Sequence, residues 1–201
     1  MSDTTLVRGG GIGAVFTGVV YLGLFVSILL LAPGEDLGSF LSATFGIVLF
    51  VALLGQVLGI ASLHVLQREH YGRLGAAGAL VSFVGFALLF AGSLGGTLLN
   101  SGTLLNSIVV VVLLVLGVLV PFIGLILLGI ATIRARVLPT WFGVLLIVGY
   151  PTVALVYGLF GTGGGFAVPA TFVVLAIFWG SVGYVLLSKG GARSQRPARV
   201  R

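Results

Sequence analysis

A chain of 201 residues that is 59% hydrophobic and 7% charged cannot cover the surface of a soluble domain, which draws about a quarter of its residues from Asp, Glu, Lys and Arg. The lack of cysteine excludes disulfides, thiolate catalysis, cysteine zinc sites and iron–sulfur clusters. A net charge of +6, with no soluble module carrying polar or aromatic base readers, excludes nucleic acid as the partner; the basic residues instead flank apolar runs, where they meet anionic headgroups.

The uncharged stretches 9–34, 37–67, 74–133 and 137–188 each exceed the roughly 18 to 20 apolar residues that a helix needs to cross a bilayer. The first helix is expected at about 11–31, ending where Pro33, Gly34, Glu35 and Asp36 cannot remain in hydrocarbon. Its apolar run is too long for a secretory signal and lacks a small-x-small site before Pro33, so it reads as a retained span. A second helix at about 40–66 gives way to the polar segment Gln67, Arg68, Glu69, His70, Tyr71, Gly72 and Arg73, which suits a short turn at the membrane surface.

The stretch 74–133 is too long for one crossing, and the Gly/Ser/Thr/Asn cluster at 92–106 is the natural place to divide it. Helices three and four are then expected at about 74–91 and 108–133. Pro139 and Thr140 suit the start of a fifth helix at 141–160, and the run from Gly161 to Gly165 leads into a sixth at 166–187. Residues 1–188 thus form one all-α, six-span membrane domain, and the basic tail 189–201 is expected to be disordered and drawn to anionic lipid.

On this division all ten basic residues fall on one side of the bilayer, and the other side receives Glu35 and Asp36. Lys and Arg in short loops stay on the cytoplasmic face, so both ends of the chain are expected inside, in a multi-pass protein of the cell membrane. The segment Leu58-Gly59-Ile60-Ala61-Ser62 near the inner end of helix two recurs as Leu128-Gly129-Ile130-Ala131-Thr132 in helix four; a duplicated hairpin and chance similarity both account for it.

Lipid offers helices no hydrophobic reason to associate, so close packing through small residues must hold them together. The 33 glycines meet that need, and Gly55 and Gly59 make a GxxxG pair that serves either packing within the bundle or a homo-oligomeric face. Pro121 and Pro151 fall inside helices four and five. A central proline kinks a helix and frees a carbonyl, which can line a polar cavity or be satisfied by neighbours.

No Asp, Glu, Lys or Arg falls in the expected hydrocarbon core, which argues against an ion-coupled pump. Gln56 is the most polar side chain deep in a helix, and it acts either as interhelical glue or, with Tyr150, Pro121 and Pro151, as part of a substrate cavity. His64, Glu69 and His70 are the only His/carboxylate grouping, but the six-residue separation of the imidazoles places them about 120° apart on a continuing helix. No cofactor is implied, and interfacial hydrogen bonding is the simpler role. Trp141, Tyr71 and Tyr184 fit an aromatic belt at the inner boundary, whereas Trp179 and Tyr150 are expected to fill the interior.

The segment Arg136-Val137-Leu138-Pro139-Thr140-Trp141-Phe142-Gly143-Val144-Leu145-Leu146, followed by Gly149-Tyr150, resembles a stretch of bacterial and archaeal six-helix membrane proteins of unknown function. That resemblance covers little beyond helix five and implies a six-helix fold without catalytic or binding residues. The functional expectation is a non-enzymatic structural or regulatory membrane component, with the lipid bilayer, a second copy or another membrane protein as partners. A small permease or channel for neutral or lipophilic solutes is the alternative, and a membrane-embedded metal or haem enzyme the third.

Overall fold

The computed structural model describes residues 3–31, 37–98, 104–160 and 167–194. They form six helices, α1 (Asp3–Leu31), α2 (Leu37–Gln67), α3 (Gly72–Leu98), α4 (Leu104–Ala135), α5 (Thr140–Phe160) and α6 (Ala167–Ser194). Five of them carry segments long and apolar enough to cross a membrane, while α5 has a shorter apolar stretch, Thr140–Val153. Such segments are helical because hydrocarbon supplies no partner for a peptide N–H or C=O, and a helix satisfies both internally.

Each helix packs against its neighbours in sequence, α6 closes the ring on α1, and α2 also reaches α6 across the bundle. The outer faces stay apolar: Ile108, Val111, Val115 and Leu119 follow one another at helical spacing on exposed α4, and Leu80 of α3 is 64% exposed. So much exposed apolar surface is compatible with a membrane protein.

Small residues determine how close the helices come. On α3, Gly78, Gly85 and Gly92 repeat every seven residues and meet α4 at Leu128, Pro121 and Leu114. From the other side, Gly117 and Gly124 of α4 face Leu89 and Ser82. A seven-residue spacing keeps the small positions on one seam between the antiparallel helices. The helix-breaking potential of Pro121 is absorbed here, since its ring fits the notch left by Gly85 and the helix continues past it.

The α1–α6 contact uses the same device, because a methyl group at Gly18 would sit 2.9 Å from the Ala176 carbonyl oxygen and Gly180 nitrogen. Gly55 and Gly59 turn toward α1 and the Trp179 ring of α6, so the GxxxG pair packs inside the bundle.

Helical structure extends beyond the expected bounds at most ends. Asp3 in the first turn of α1 suits the positive end of the helix dipole, and the helix starts well before 11. Residues 92–98 continue α3, with Gly92 in contact with Leu114, and α4 begins at Leu104, so the long stretch divides inside the expected cluster 92–106 but later than its first residue. Similarly α6 runs through Lys189 to Ser194, where a tail was expected; the remaining tail 195–201 and the expected turns at 33–36 and 161–165 lie outside the described residues.

The two described connections differ in character. After α2, the Gln67 carbonyl accepts from His70 N at 2.8 Å and Tyr71 N at 3.2 Å, and Gly72 takes a φ of +62°. After α4, Arg136 occupies the left-handed region at φ +51°, and Phe142 N donates to the Pro139 carbonyl at 3.0 Å as α5 begins. An ion pair of 3.0 Å between half-exposed Arg68 and Asp3 joins the α2–α3 turn to the start of α1. Contacts of Ser62 Oγ with the Leu6 carbonyl at 2.9 Å and of Gly11 with Leu187 bring the basic helix ends together at one end of the bundle.

The seams predict opposite outcomes for two glycine-to-alanine changes. In Gly124→Ala the added methyl overlaps Ser82 N and lies 2.8 Å from the Gly78 carbonyl, so the helices must separate at a cost of about 1–3 kcal/mol. Gly23 has nothing within 4 Å of its would-be methyl, so Gly23→Ala is expected to leave stability unchanged or raise it by up to ~1 kcal/mol. Thermal unfolding in mild detergent checks both.

Candidate functional site

Gln56 lies on α2 and is fully buried. Its Nε2 donates to the Tyr21 hydroxyl of α1, and its Oε1 accepts from the Tyr150 hydroxyl of α5 at 3.2 Å. One carboxamide therefore joins three helices through residues 35 and 94 positions away. Gln56 and Tyr150 are brought together as the sequence suggested. Tyr21 is the partner that sequence reasoning missed, and the available signal was its hydroxyl: a phenol in the middle of an apolar helix needs a hydrogen-bond partner when buried.

Aromatic rings enclose this polar centre. Phe86 of α3 meets Tyr150 edge-on at 6.2 Å and Trp179 of α6 at 6.1 Å, while Phe178 meets Tyr150 at 5.7 Å and Trp179 at 5.2 Å. Tyr21 stacks on Phe172 at 5.8 Å. These edge-to-face contacts are the favourable geometry for aromatic quadrupoles. Gly149, beside Tyr150, leaves the space that the Phe178 ring fills. Trp179 and Tyr150 thus occupy the interior, as expected from the sequence.

The chemistry such a centre offers is limited to neutral hydrogen bonding, because a carboxamide and two phenols provide neither a charge nor an activated nucleophile. Its mechanical effect is larger. Truncating one partner in a low-dielectric interior strands the others, so the three groups are coupled. Two further buried groups stand apart: among the described residues, the Gln67 amide atoms and the Trp179 indole nitrogen find no hydrogen-bond partner.

The remaining sequence candidates are dispersed. Pro121 is buried against α3, and Pro151 follows Tyr150 within α5. The Tyr71 hydroxyl hydrogen-bonds closely to His64 Nδ1, and the two rings lie 5.8 Å apart. Tyr71 is buried, which corrects its expected place in an interfacial belt, and burial pushes its phenol up to about 12. Trp141 and Tyr184 are 50% and 67% exposed, consistent with belt positions. Glu69 and His70 are exposed, and among the described residues no three His, Cys, Asp or Glu side chains gather in a way that would hold a metal ion.

No protein-family model matches this chain, and no curated protein or solved structure matches it significantly. Any functional assignment therefore rests on the residues themselves.

Replacing Gln56 with Leu should remove the donor to Tyr21 and the acceptor for Tyr150 together. The expected loss is about 1–3 kcal/mol, seen as a lower thermal midpoint in detergent. The triple change Tyr21→Phe, Gln56→Leu and Tyr150→Phe strands no polar atom and is expected to recover most of it. A triple variant no more stable than Gln56→Leu alone would show that the three groups are not coupled.

Proposed function

We propose that this chain is a six-span protein of the cell membrane, with both ends cytoplasmic, acting as a non-enzymatic structural or regulatory component. The observation that carries the reading is the state of Gln56: the most polar side chain of the core is engaged on both sides by tyrosines of its own bundle. A group committed in this way serves as a tie between helices. Supporting the sixth span, α5 has 21 residues, which at about 1.5 Å each reach roughly 31 Å, the thickness of a hydrocarbon core. The gathering of basic helix ends at one end of the bundle supports the orientation.

A second reading, a permease for small neutral solutes, draws on Trp179. Its indole N–H is buried without a partner beside the same aromatic rings, and it is a donor that an uncharged solute would find in mid-membrane.

Reporter fusions and solute flux separate these readings. Fusions placed at the α2–α3 turn, the α4–α5 turn and the C-terminus are expected to report the cytoplasm in every case, and opposite sides for the two turns would contradict the six-span arrangement. Liposomes holding the purified protein are expected to take up glycerol and urea no faster than empty ones. Uptake above that baseline, abolished by Gln56→Leu while the protein stays folded, would establish the permease.

A further inference from the structure

At the basic end of the bundle, where α4 turns into α5, the surface carries an open groove of about 720 Å³ lined by Ile133, Arg134, Arg136, Leu138, Pro139 and Thr140. A volume of that size falls in the range of small-molecule sites. We propose that this groove binds the phosphate diester headgroup of an anionic phospholipid; the inference rests on the reading that this end of the bundle lies in the headgroup layer.

Three observations converge on that ligand. The first is unsatisfied charge. The chain has four acidic side chains, Asp3, Glu35, Asp36 and Glu69; Asp3 is engaged by Arg68, and neither Arg134 nor Arg136 has an ion-pair or hydrogen-bond partner among the described residues. Two guanidiniums on one groove offer the planar forks that match phosphate oxygens, and the Thr140 hydroxyl adds a neutral donor. By contrast, the smaller cavity of about 380 Å³ beside Arg8 has an arginine that already interacts within the protein.

The second is backbone geometry. Arg136 sits at φ +51°, a left-handed conformation that a side chain with a Cβ resists and that glycine adopts freely. In a chain with 33 glycines, a charged residue stands at the helix C-terminus where glycine is the ordinary choice. Strain of this kind gathers at ligand sites.

The third is the surroundings, which favour a lipid over a free anion. Ile133, Leu138 and Pro139 make much of the groove wall apolar. Leading away from it along α5, Trp141, Val144 and Val148 are each about half exposed, at 50%, 46% and 50%, and their spacing of three and four residues puts them on one helix face. An acyl chain hanging from a phosphate in the groove would lie along that stripe, with the Trp141 indole at headgroup level.

Native mass spectrometry of the full chain in mild detergent tests this, with dioleoyl phosphatidylglycerol, dioleoyl phosphatidylcholine and inorganic phosphate as probes. One phosphatidylglycerol is expected to be retained with a preference over phosphatidylcholine of about ten- to thirtyfold, the combined effect of two arginines near an anionic surface. R134Q/R136Q should remove that preference, whereas R68Q/R73Q at the α2–α3 turn should retain it. R136G relaxes the backbone while deleting one guanidinium, so it is expected to unfold no earlier than the parent and still lose about fivefold in preference.

Equal retention of the two lipids, or an undiminished preference in both R136G and R134Q/R136Q, would overturn the proposal. Displacement of the lipid by millimolar inorganic phosphate would also overturn it, by showing a small-anion site. Because these readouts need only folded protein, a negative result here leaves the six-span topology standing, and a failed topology would appear in the reporter fusions instead.

Discussion

Helices immersed in hydrocarbon gain nothing by hiding apolar side chains from one another, since lipid tails are equally apolar. What remains is contact at short range and the pairing of the few polar atoms that have no water to turn to. Both are visible in this bundle. The α3–α4 seam brings backbone to backbone at Gly78 and Gly124, and α1 meets α6 at Gly18 in the same way. Gln56 does with hydrogen bonds what the glycines do with space, tying α2 to α1 and α5 through one carboxamide.

This division of labour explains the distribution of polarity in the chain. Inside the bundle, some hydroxyls turn back on their own helices: Ser82 donates to the Gly78 carbonyl at 2.9 Å and Thr132 to that of Leu128 at 2.8 Å. Thr17 goes further and bridges from the Gly13 carbonyl of α1 at 2.9 Å to the Ala52 carbonyl of α2 at 3.1 Å. Among the described residues the charged side chains gather at one end, where exposed Arg68 and Asp3 form a pair worth at most about 1 kcal/mol in contact with water.

How much of this was legible in the sequence depended on the kind of signal. Helix number followed from length and from the position of charged residues, because the cost of placing charge in hydrocarbon is large and local. Helix ends were less legible. Hydropathy marks where hydrocarbon stops, whereas helical hydrogen bonding goes on into polar residues, as at Asp3–Arg8 of α1 and Lys189–Ser194 of α6. Gly92 shows the same limit from within a helix, since a glycine that permits approach and a glycine that breaks a helix are the same letter. In the site, Gln56 and Tyr150 stood out as polar groups in apolar runs. Their grouping in one site was one of the alternatives the sequence offered, but the direct hydrogen bond between residues 94 positions apart could not be read from it, and the part-buried Tyr71–His64 pairing depends on a turn whose course a polar segment does not specify.

The tie between α1, α2 and α5 requires Gln56 to lie between two phenols. Solid-state NMR on protein carrying ¹⁵N-glutamine and ¹³Cζ-tyrosine in lipid bilayers measures this, with the Gln56 side-chain resonance assigned by its loss in Gln56→Leu. Strong dipolar coupling to two tyrosine Cζ carbons, at separations of about 4 to 5 Å for hydrogen-bonded groups, is the expected result. A Gln56 amide with no tyrosine carbon in range, or one that exchanges its protons freely with water, would contradict it.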